Sequence, residues 1–227
     1  MRPLPILLTR PRAASTTLAA RLADTGATVL VSPLLEVSPM GALPAIPGGV
    51  LLTSPAAIDA WTAMGGAGAW PAWVVGPETA RRAAAAGFDV RGVGADAAAL
   101  AALVPEDAPP LVHLRGEVQR GDLAGDLRAR GRAATDAVIY RQTALPLTAP
   151  ACALLRAGPT LVPLYSPRTA TIFGTECPAG ALDHVRAVCL SRAVAEAAPV
   201  RPVAMAARPD GQAMESAIRK ALAANGG

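Results

Sequence analysis

Aromatic side chains are scarce: phenylalanine, tryptophan and tyrosine make up 3% of the 227 residues. No basic run is interleaved with them, which argues against a surface that stacks nucleic-acid bases. Lysine is scarcer still. Lys220 is the only one, so the net charge of +4 is carried almost wholly by arginine. Arginine suits fork-like binding of carboxylate or phosphate. Bias in genomic base composition gives the same excess and is the plainer explanation for most of these residues. The three cysteines, Cys152, Cys177 and Cys189, are odd in number and form no CxxC pair. Reduced, mostly buried thiols are expected rather than a disulfide framework. Two histidines offer little to a metal, and His113 lies within an apolar, strand-like run, where a core or strand-end role is expected. No apolar run approaches the ~18 residues of a membrane span. The opening "MRPLPILLTRPR" has an apolar core of only Ile6 to Leu8, closed off by Arg10 and Arg12, and does not read as a signal peptide. A soluble, cytoplasmic protein is expected, with no nucleic-acid or membrane partner.

What the chain does have is punctuation. Short apolar runs alternate with helix-forming segments bounded by proline and glycine. "PILLT", "ATVLVS", "GVLLTS", "AWVVG", "FDVRGVG" and "PLVHLRG" read as strands in the first half. "AASTTLAARLADTG", "PAAIDAWTAM", "PETARRAAAAG", "ADAAALAALV" and "EVQRGDLAGDLRARG" read as the helices between them. The second half continues with "TLVPLYS", "PRTATIFG", "VRAVCLS", "RAVAEAA", "VRPVAMA" and "DGQAMESAIRKALAAN". The strands are continuous apolar runs, as in parallel α/β sheets covered on both faces.

The pattern also repeats. "LLTSPAAIDAW" at 51–61 and "LYSPRTATIF" at 164–173 both run from an apolar stretch into Ser-Pro and then a helix, with their serines 112 positions apart (166 − 54). A second unit, strand then Arg then helix then Gly, occurs from Arg10 to Gly26 and from Arg115 to Gly131, 16 positions each (26 − 10 and 131 − 115). The units alternate along the chain, which suggests two domains of one design. Two proline-rich connections, 32–48 and 136–150, contain strand-like cores. Their composition suits edge or linker strands, because proline interrupts a central ladder.

The segments "LLTRPRAASTTLAARLADTGATVLVSPLLEV", "LLTSPAAI", "VVGPETA", "LRGEVQRGDLAGDLRARG", "AVIYRQT" and "YSPRTA", in this order, resemble the uroporphyrinogen-III synthase family over essentially the whole chain. The resemblance implies an α/β fold of two flavodoxin-like parallel-sheet domains, joined by a two-stranded β ladder with a cleft between them. It implies one domain from residues 1–34 and 146–227, an inserted domain at 39–138, and linker strands at 35–38 and 139–145. It implies a cofactor-independent, metal-free monomer. The implied reaction closes hydroxymethylbilane, a linear polycarboxylate tetrapyrrole, to uroporphyrinogen III with its last ring inverted.

On that resemblance Tyr140 is the expected catalytic residue, assisting departure of the substrate hydroxyl. Ser54, Gly76 and Thr79 are expected on one wall of the site and Ser166 and Ser191 on the other. These Ser-Pro corners expose backbone N–H groups to an anion. Arg10, Arg115 and Gly116, at equivalent strand ends, complete the expected substrate-binding set. Each serine has a plainer role as a helix N-cap, Tyr140 as a packed strand-edge residue, and the arginines as solvated surface. Arg168 and Arg192 stand at helix starts, where the dipole disfavours a cation and an anionic ligand would justify them. The family's threonine-bearing turn stands here as "LSRAVA", with Val194 in place of the hydroxyl and Ser191 as its expected substitute. The alternatives are a non-catalytic two-domain binding protein and an inactive homologue, either holding a polycarboxylate ligand. A flavodoxin is disfavoured because "TRPRAAS" lacks a hydroxyl-rich phosphate loop. A receiver domain is disfavoured because the strand ends lack acids.

Overall fold

The structure, a computed structural model, describes residues 3–119 and 121–224. Met1, Arg2, Arg120 and Asn225, which the expected first segment, fifth helix and last helix include, lie outside the described residues. The chain forms two compact units, Met1–Glu36 with Ala144–Gly227, and Val37–Thr143. It therefore passes from one to the other twice, after Glu36 and after Thr143.

The first unit contains β1 (Ile6–Leu8), α1 (Arg12–Arg21), β2 (Val29–Val31), α6 (Ala149–Ala157), β9 (Thr160–Leu164), α7 (Pro167–Glu176), β10 (Val185–Cys189), α8 (Arg192–Ala197), β11 (Ala204–Met205) and α9 (Gly211–Ala224). Its strands form one parallel sheet, ordered β11-β10-β9-β1-β2. Counted within the unit this is the 2-1-3-4-5 order of flavodoxin-like sheets, with the reversal between β1 and β9. Both faces are covered. Met214, Ala217, Ile218, Ala221 and Leu222 make an i, i+3, i+4, i+7, i+8 stripe on α9, which packs with Leu18 of α1 over Ile6 and Leu8. Leu155 of α6, Phe173 of α7 and Val194 of α8 cover the other face, over Leu7, Val162 and Leu164.

The second unit contains β4 (Gly49–Leu52), α2 (Pro55–Ala63), β5 (Pro71–Val75), α3 (Pro77–Ala85), β6 (Asp89–Gly94), α4 (Ala97–Leu103), β7 (Leu111–Gly116) and α5 (Leu123–Ala129). β3 (Leu35–Pro39) and β8 (Ala134–Ala144) carry the chain in and out. The sheet order is β3-β8-β7-β4-β5-β6, and β4, β5, β6, β7 and β8 pair in parallel. The reversal falls between β4 and β7. Helices α2 and α3 pack on one face through Ile58, Trp61 and Ala83, and α4 and α5 on the other through Leu100, Leu123 and Leu127.

Several expectations need correction. β8 is no edge strand: β3 lies outside it and β7 inside. The prolines that suggested an edge, Pro146 and Pro150, fall beyond its end. Proline does enter a central strand. Pro163 lies within β9, paired with Val188 of β10. Leu161 donates its N–H to Pro5 of the β1 segment, so two residues on the chain presents proline, without a donor, to that neighbour. The register between β1 and β9 is limited to Ile6 and Leu161. The missing donor falls at the sheet's reversal point. The fifth helix begins at Leu123, capped by Asp122, rather than directly after β7; Gly121, at φ 72°, turns the chain first. The edge strand β6 alternates exposed and half-buried residues instead of forming a buried apolar run. An unforeseen helix, α6, follows β8. Of the cysteines only Cys189 is buried; Cys152 and Cys177 are half-buried, and all three are free.

Candidate functional site

In doubly wound sheets the reversal of strand order opens a crevice at the carboxyl ends of the strands, and ligands bind there. In the second unit that point lies between β4 and β7. β4 leads into Thr53 and Ser54, β7 ends on Arg115 and Gly116, and the neighbouring β8 carries Tyr140. Ser54 is extended, at φ −152° and ψ 141°, and its Oγ accepts from the Ala56 N–H at 3.2 Å. Pro55 opens α2 where a donor is not needed. Gly116 pairs with Tyr140 across a register shift that begins at Arg115. A β-carbon on Gly116 would stand 2.7 Å from the Tyr140 ring and 3.1 Å from its hydroxyl oxygen. Only glycine permits this approach.

Tyr140 is buried, with 7% of its surface exposed. Burial pushes its phenol above the ordinary value of 10, while the Ser54 side chain and the Gly116 backbone N–H act on the oxygen in the opposite direction.

A second set of polar groups lies behind this cluster. His113 Nε2 is 3.1 Å from Thr53 Oγ1, and its Nδ1 is 3.1 Å from Asp136 Oδ1. Arg115 Nε donates to the same Asp136 oxygen at 3.1 Å, and Arg115 Nη1 donates to the Gly116 carbonyl at 3.0 Å. Strand alternation explains the placement. Leu111 packs with the α4–α5 core and His113, two residues on, shares its face; Val112 and Leu114 pack with Tyr140 on the other.

Burial lowers the His113 pKa below 6.5; Asp136 opposes this most strongly, Arg115 adds to the lowering, and Asp122 at the α5 cap raises it slightly. His113 is therefore neutral at pH 7, donating from Nδ1 and accepting at Nε2. As pH falls below about 6.5 the unfolded chain takes up this proton before the folded one does, so stability falls until the folded state also titrates. Urea midpoints measured on both sides of pH 6.5 are expected to show this loss, and His113→Gln is expected to reduce it.

Arg115, expected to meet substrate, is committed to Asp136 and Gly116. Gly76 and Thr79 stand one strand further out, after β5. Gly76, at φ 78° and ψ 153°, caps α3 in a conformation that favours glycine. Its N–H is taken by the Gly94 carbonyl at 2.8 Å. Thr79 is buried, and Glu78 puts a carboxylate into the same helical turn.

In the first unit the reversal lies between β1 and β9. The Arg10 guanidinium lies over the Tyr165 ring, 4.2 Å from its centroid. Burial raises the Tyr165 phenol, and Arg10 opposes that rise. Ser15 Oγ donates to the Arg10 carbonyl at 2.8 Å, fixing the turn into α1. The neighbouring Thr9 is buried and its hydroxyl has no partner. Ser166 caps α7, accepting from the Thr169 N–H at 3.1 Å with its Oγ 2.8 Å from Thr169 Oγ1. Ser191 precedes α8 in an extended conformation, without a side-chain cap bond. Val194 is buried in the core. Arg192 needs no anionic ligand: Glu196, one turn on, accepts from its Nε at 2.9 Å.

Ser54, Gly116 and Tyr140 are thus gathered at one strand-end corner, and Arg10 and Ser166 flank the other reversal point. Thr53, His113, Asp136, Thr9 and Tyr165 were not among the expected site residues. A histidine two positions before Arg115 in an otherwise apolar strand was the available signal for the network.

The model of the family uroporphyrinogen-III synthase HemD matches residues 16–217. The uroporphyrinogen-III synthetase of Helicobacter pylori 26695 has a similar solved structure, with a TM-score of 0.64 at 16% identity, covering 95% of this chain and 97% of that one. A mutant uroporphyrinogen III synthase from the extremely thermophilic bacterium Thermus thermophilus superimposes with a TM-score of 0.54 at 16% identity, covering 97% of this chain and 99% of that one. No curated protein sequence is a significant match. No helix among the described residues is long and apolar enough to cross a membrane.

Proposed function

The chain belongs to the uroporphyrinogen-III synthase family, and we propose that Tyr140, held by Ser54 and Gly116, is the group that assists loss of the substrate hydroxyl. As a member it is a cyclising lyase: it closes hydroxymethylbilane to uroporphyrinogen III with ring D inverted and releases water. The carbon–oxygen bond of the ring A hydroxymethyl group breaks, and the pyrrole nitrogen supplies the electron pair that leaves an azafulvene. Ring D attacks that carbon through its substituted position. The resulting spiro intermediate fragments and recloses with ring D turned over.

The first bond to break needs help at the leaving oxygen, because hydroxide is a poor leaving group. The convergence at Tyr140 is the observation that carries the reading. Its ring and hydroxyl lie against Gly116, and Ser54 and the Gly116 backbone both counter the burial that raises its phenol. A phenol held neutral by burial donates across the whole physiological pH range and stabilises the charge that develops as the bond opens.

The remaining demand is to hold a flexible polyanion in one fold. The carboxyl end of each sheet, taken by itself, offers donors suited to a carboxylate: in the second unit the N-terminal turn of α2 behind Ser54, and in the first the N-terminal turn of α7 behind Ser166, Ser191 before α8, and the Arg10 guanidinium. Each helix start favours an anion by about 0.3–1 kcal/mol. Arg115 contributes by fixing Gly116, and Gly76 and Thr79 form an outer margin. On this reading the enzyme works as a cytoplasmic monomer without cofactor or nucleic-acid partner.

Steady-state kinetics with hydroxymethylbilane test the binding set. Ser166→Ala is expected to raise KM about two- to fivefold with little change in kcat, the size of one helix-end contribution. Ser54→Ala is expected to raise KM similarly and also to lower kcat, because Ser54 supports Tyr140. Native kinetics in both variants would remove the two serines from the site.

A further inference from the structure

We infer that His113 is a positioning residue for Tyr140, acting from the opposite face of the second unit's sheet through Thr53, Asp136 and Arg115. The inference rests on the Tyr140 reading above and adds the residues that hold its corner in place.

The corner is made by two strand ends that share no ladder beyond it. The β4–β7 register runs from Gly49 and Leu111 to Leu52 and Leu114, then stops. Thr53–Ser54 and Arg115–Gly116 are therefore not paired to each other, although Arg115 and Gly116 remain paired with β8, and the Tyr140 corner draws on both. The polar network closes that gap. Thr53, adjacent to Ser54, is tied to His113 Nε2. His113 Nδ1 is tied to Asp136 of β8, the strand that carries Tyr140, in direct register with His113. Asp136 in turn holds Arg115, and Arg115 holds the Gly116 carbonyl. One buried imidazole thus links the three chain segments that supply Ser54, Gly116 and Tyr140. The neutral ring fits this task, because it offers one donor to the carboxylate and one acceptor to the hydroxyl. Thr53, at the bend that ends β4, directly precedes Ser54, the N-cap of α2. Fixing the first therefore restrains the backbone that carries the second.

The test exploits the chain's having only two tyrosines. In a Tyr165→Phe background, tyrosinate absorbance against pH reports Tyr140 alone. Thr53→Val removes one hydroxyl at constant shape, and His113→Met removes both ring contacts while filling the space. In either variant the Tyr140 midpoint is expected to move upward by about 0.5–1 unit, as Ser54 and the Gly116 backbone, which counter its rise, lose alignment. Without the Tyr165→Phe change, kcat is expected to fall about tenfold, the effect of one well-placed hydrogen bond, with KM within about twofold. His113→Gln, which presents one donor and one acceptor, is expected to restore both readouts. A purely structural His113 would alter stability and leave the Tyr140 midpoint in place. An unchanged midpoint in folded Thr53→Val overturns the inference, even if His113→Met does not fold. A shifted midpoint with native kcat upholds the positioning and overturns the catalytic reading of Tyr140 instead.

Discussion

Tyr140→Phe is expected to lower kcat by about a hundredfold to a thousandfold while KM stays close to native. The magnitude is that of removing one general-acid or electrostatic donor from a leaving group. The split between kcat and KM follows from when the interaction forms. The phenol meets an oxygen that carries little charge in the bound substrate and much more as its bond to carbon opens. Phenylalanine keeps the buried ring and its packing against Gly116, so the fold should survive. The loss should not be total, because a bilane held in the reactive fold still ejects its hydroxyl slowly. Since burial raises the Tyr140 phenol above 10, the native enzyme should show no loss of activity from Tyr140 ionisation below that pH. Steady-state rates of both proteins, measured from neutral to alkaline pH, check each part. Native kcat in the variant would return Tyr140 to a packing role.

Gly116→Ala should be nearly as damaging by a different route. The added methyl would stand 2.7 Å from the Tyr140 ring, closer than side-chain carbons approach. The obstacle is a buried ring rather than a flexible side-chain end, so the ring must swing or the strands must part. Overpacking of this kind costs about 1–3 kcal/mol of stability. The larger effect is expected on kcat, with a loss of about a hundredfold, because displacement of the phenol by a fraction of an ångström breaks its alignment with the leaving oxygen. The two substitutions share one target and should not add. In the Gly116→Ala, Tyr140→Phe double variant kcat should be within about threefold of Tyr140→Phe alone. Multiplying losses would show that Gly116 acts on something other than the tyrosine.

The alternation of apolar runs with proline- and glycine-bounded helices made the α/β architecture legible, because each boundary has a local chemical cause. Ser54 and Ser166 before proline read as caps and are caps. What failed to read was whatever depends on strand neighbours. Pro146 and Pro150 made residues 136–150 look like a peripheral connection, yet β8 ends before both prolines and lies inside the sheet. Pro150 belongs instead to the first turn of α6, a helix hidden by the same assumption. Pro163 entered a central strand because only its pairing toward β1 needed the missing donor. The site shows the same division. Tyr140 and Gly116 were identified by resemblance to a family, but their contact comes from a register shift that no local pattern displays. His113 and Asp136 are 23 positions apart (136 − 113) and meet only because β7 and β8 align them.

The most direct measurement gives the purified protein freshly made hydroxymethylbilane and separates the isomers of the cyclic product. The account predicts mainly type III uroporphyrinogen from the native protein, formed faster than spontaneous closure. It predicts a marked shift toward type I with Tyr140→Phe at equal protein, as uncatalysed closure overtakes the slowed enzyme. Type I product at the spontaneous rate from the native protein, or an isomer ratio unmoved by the loss of the phenol, would contradict it.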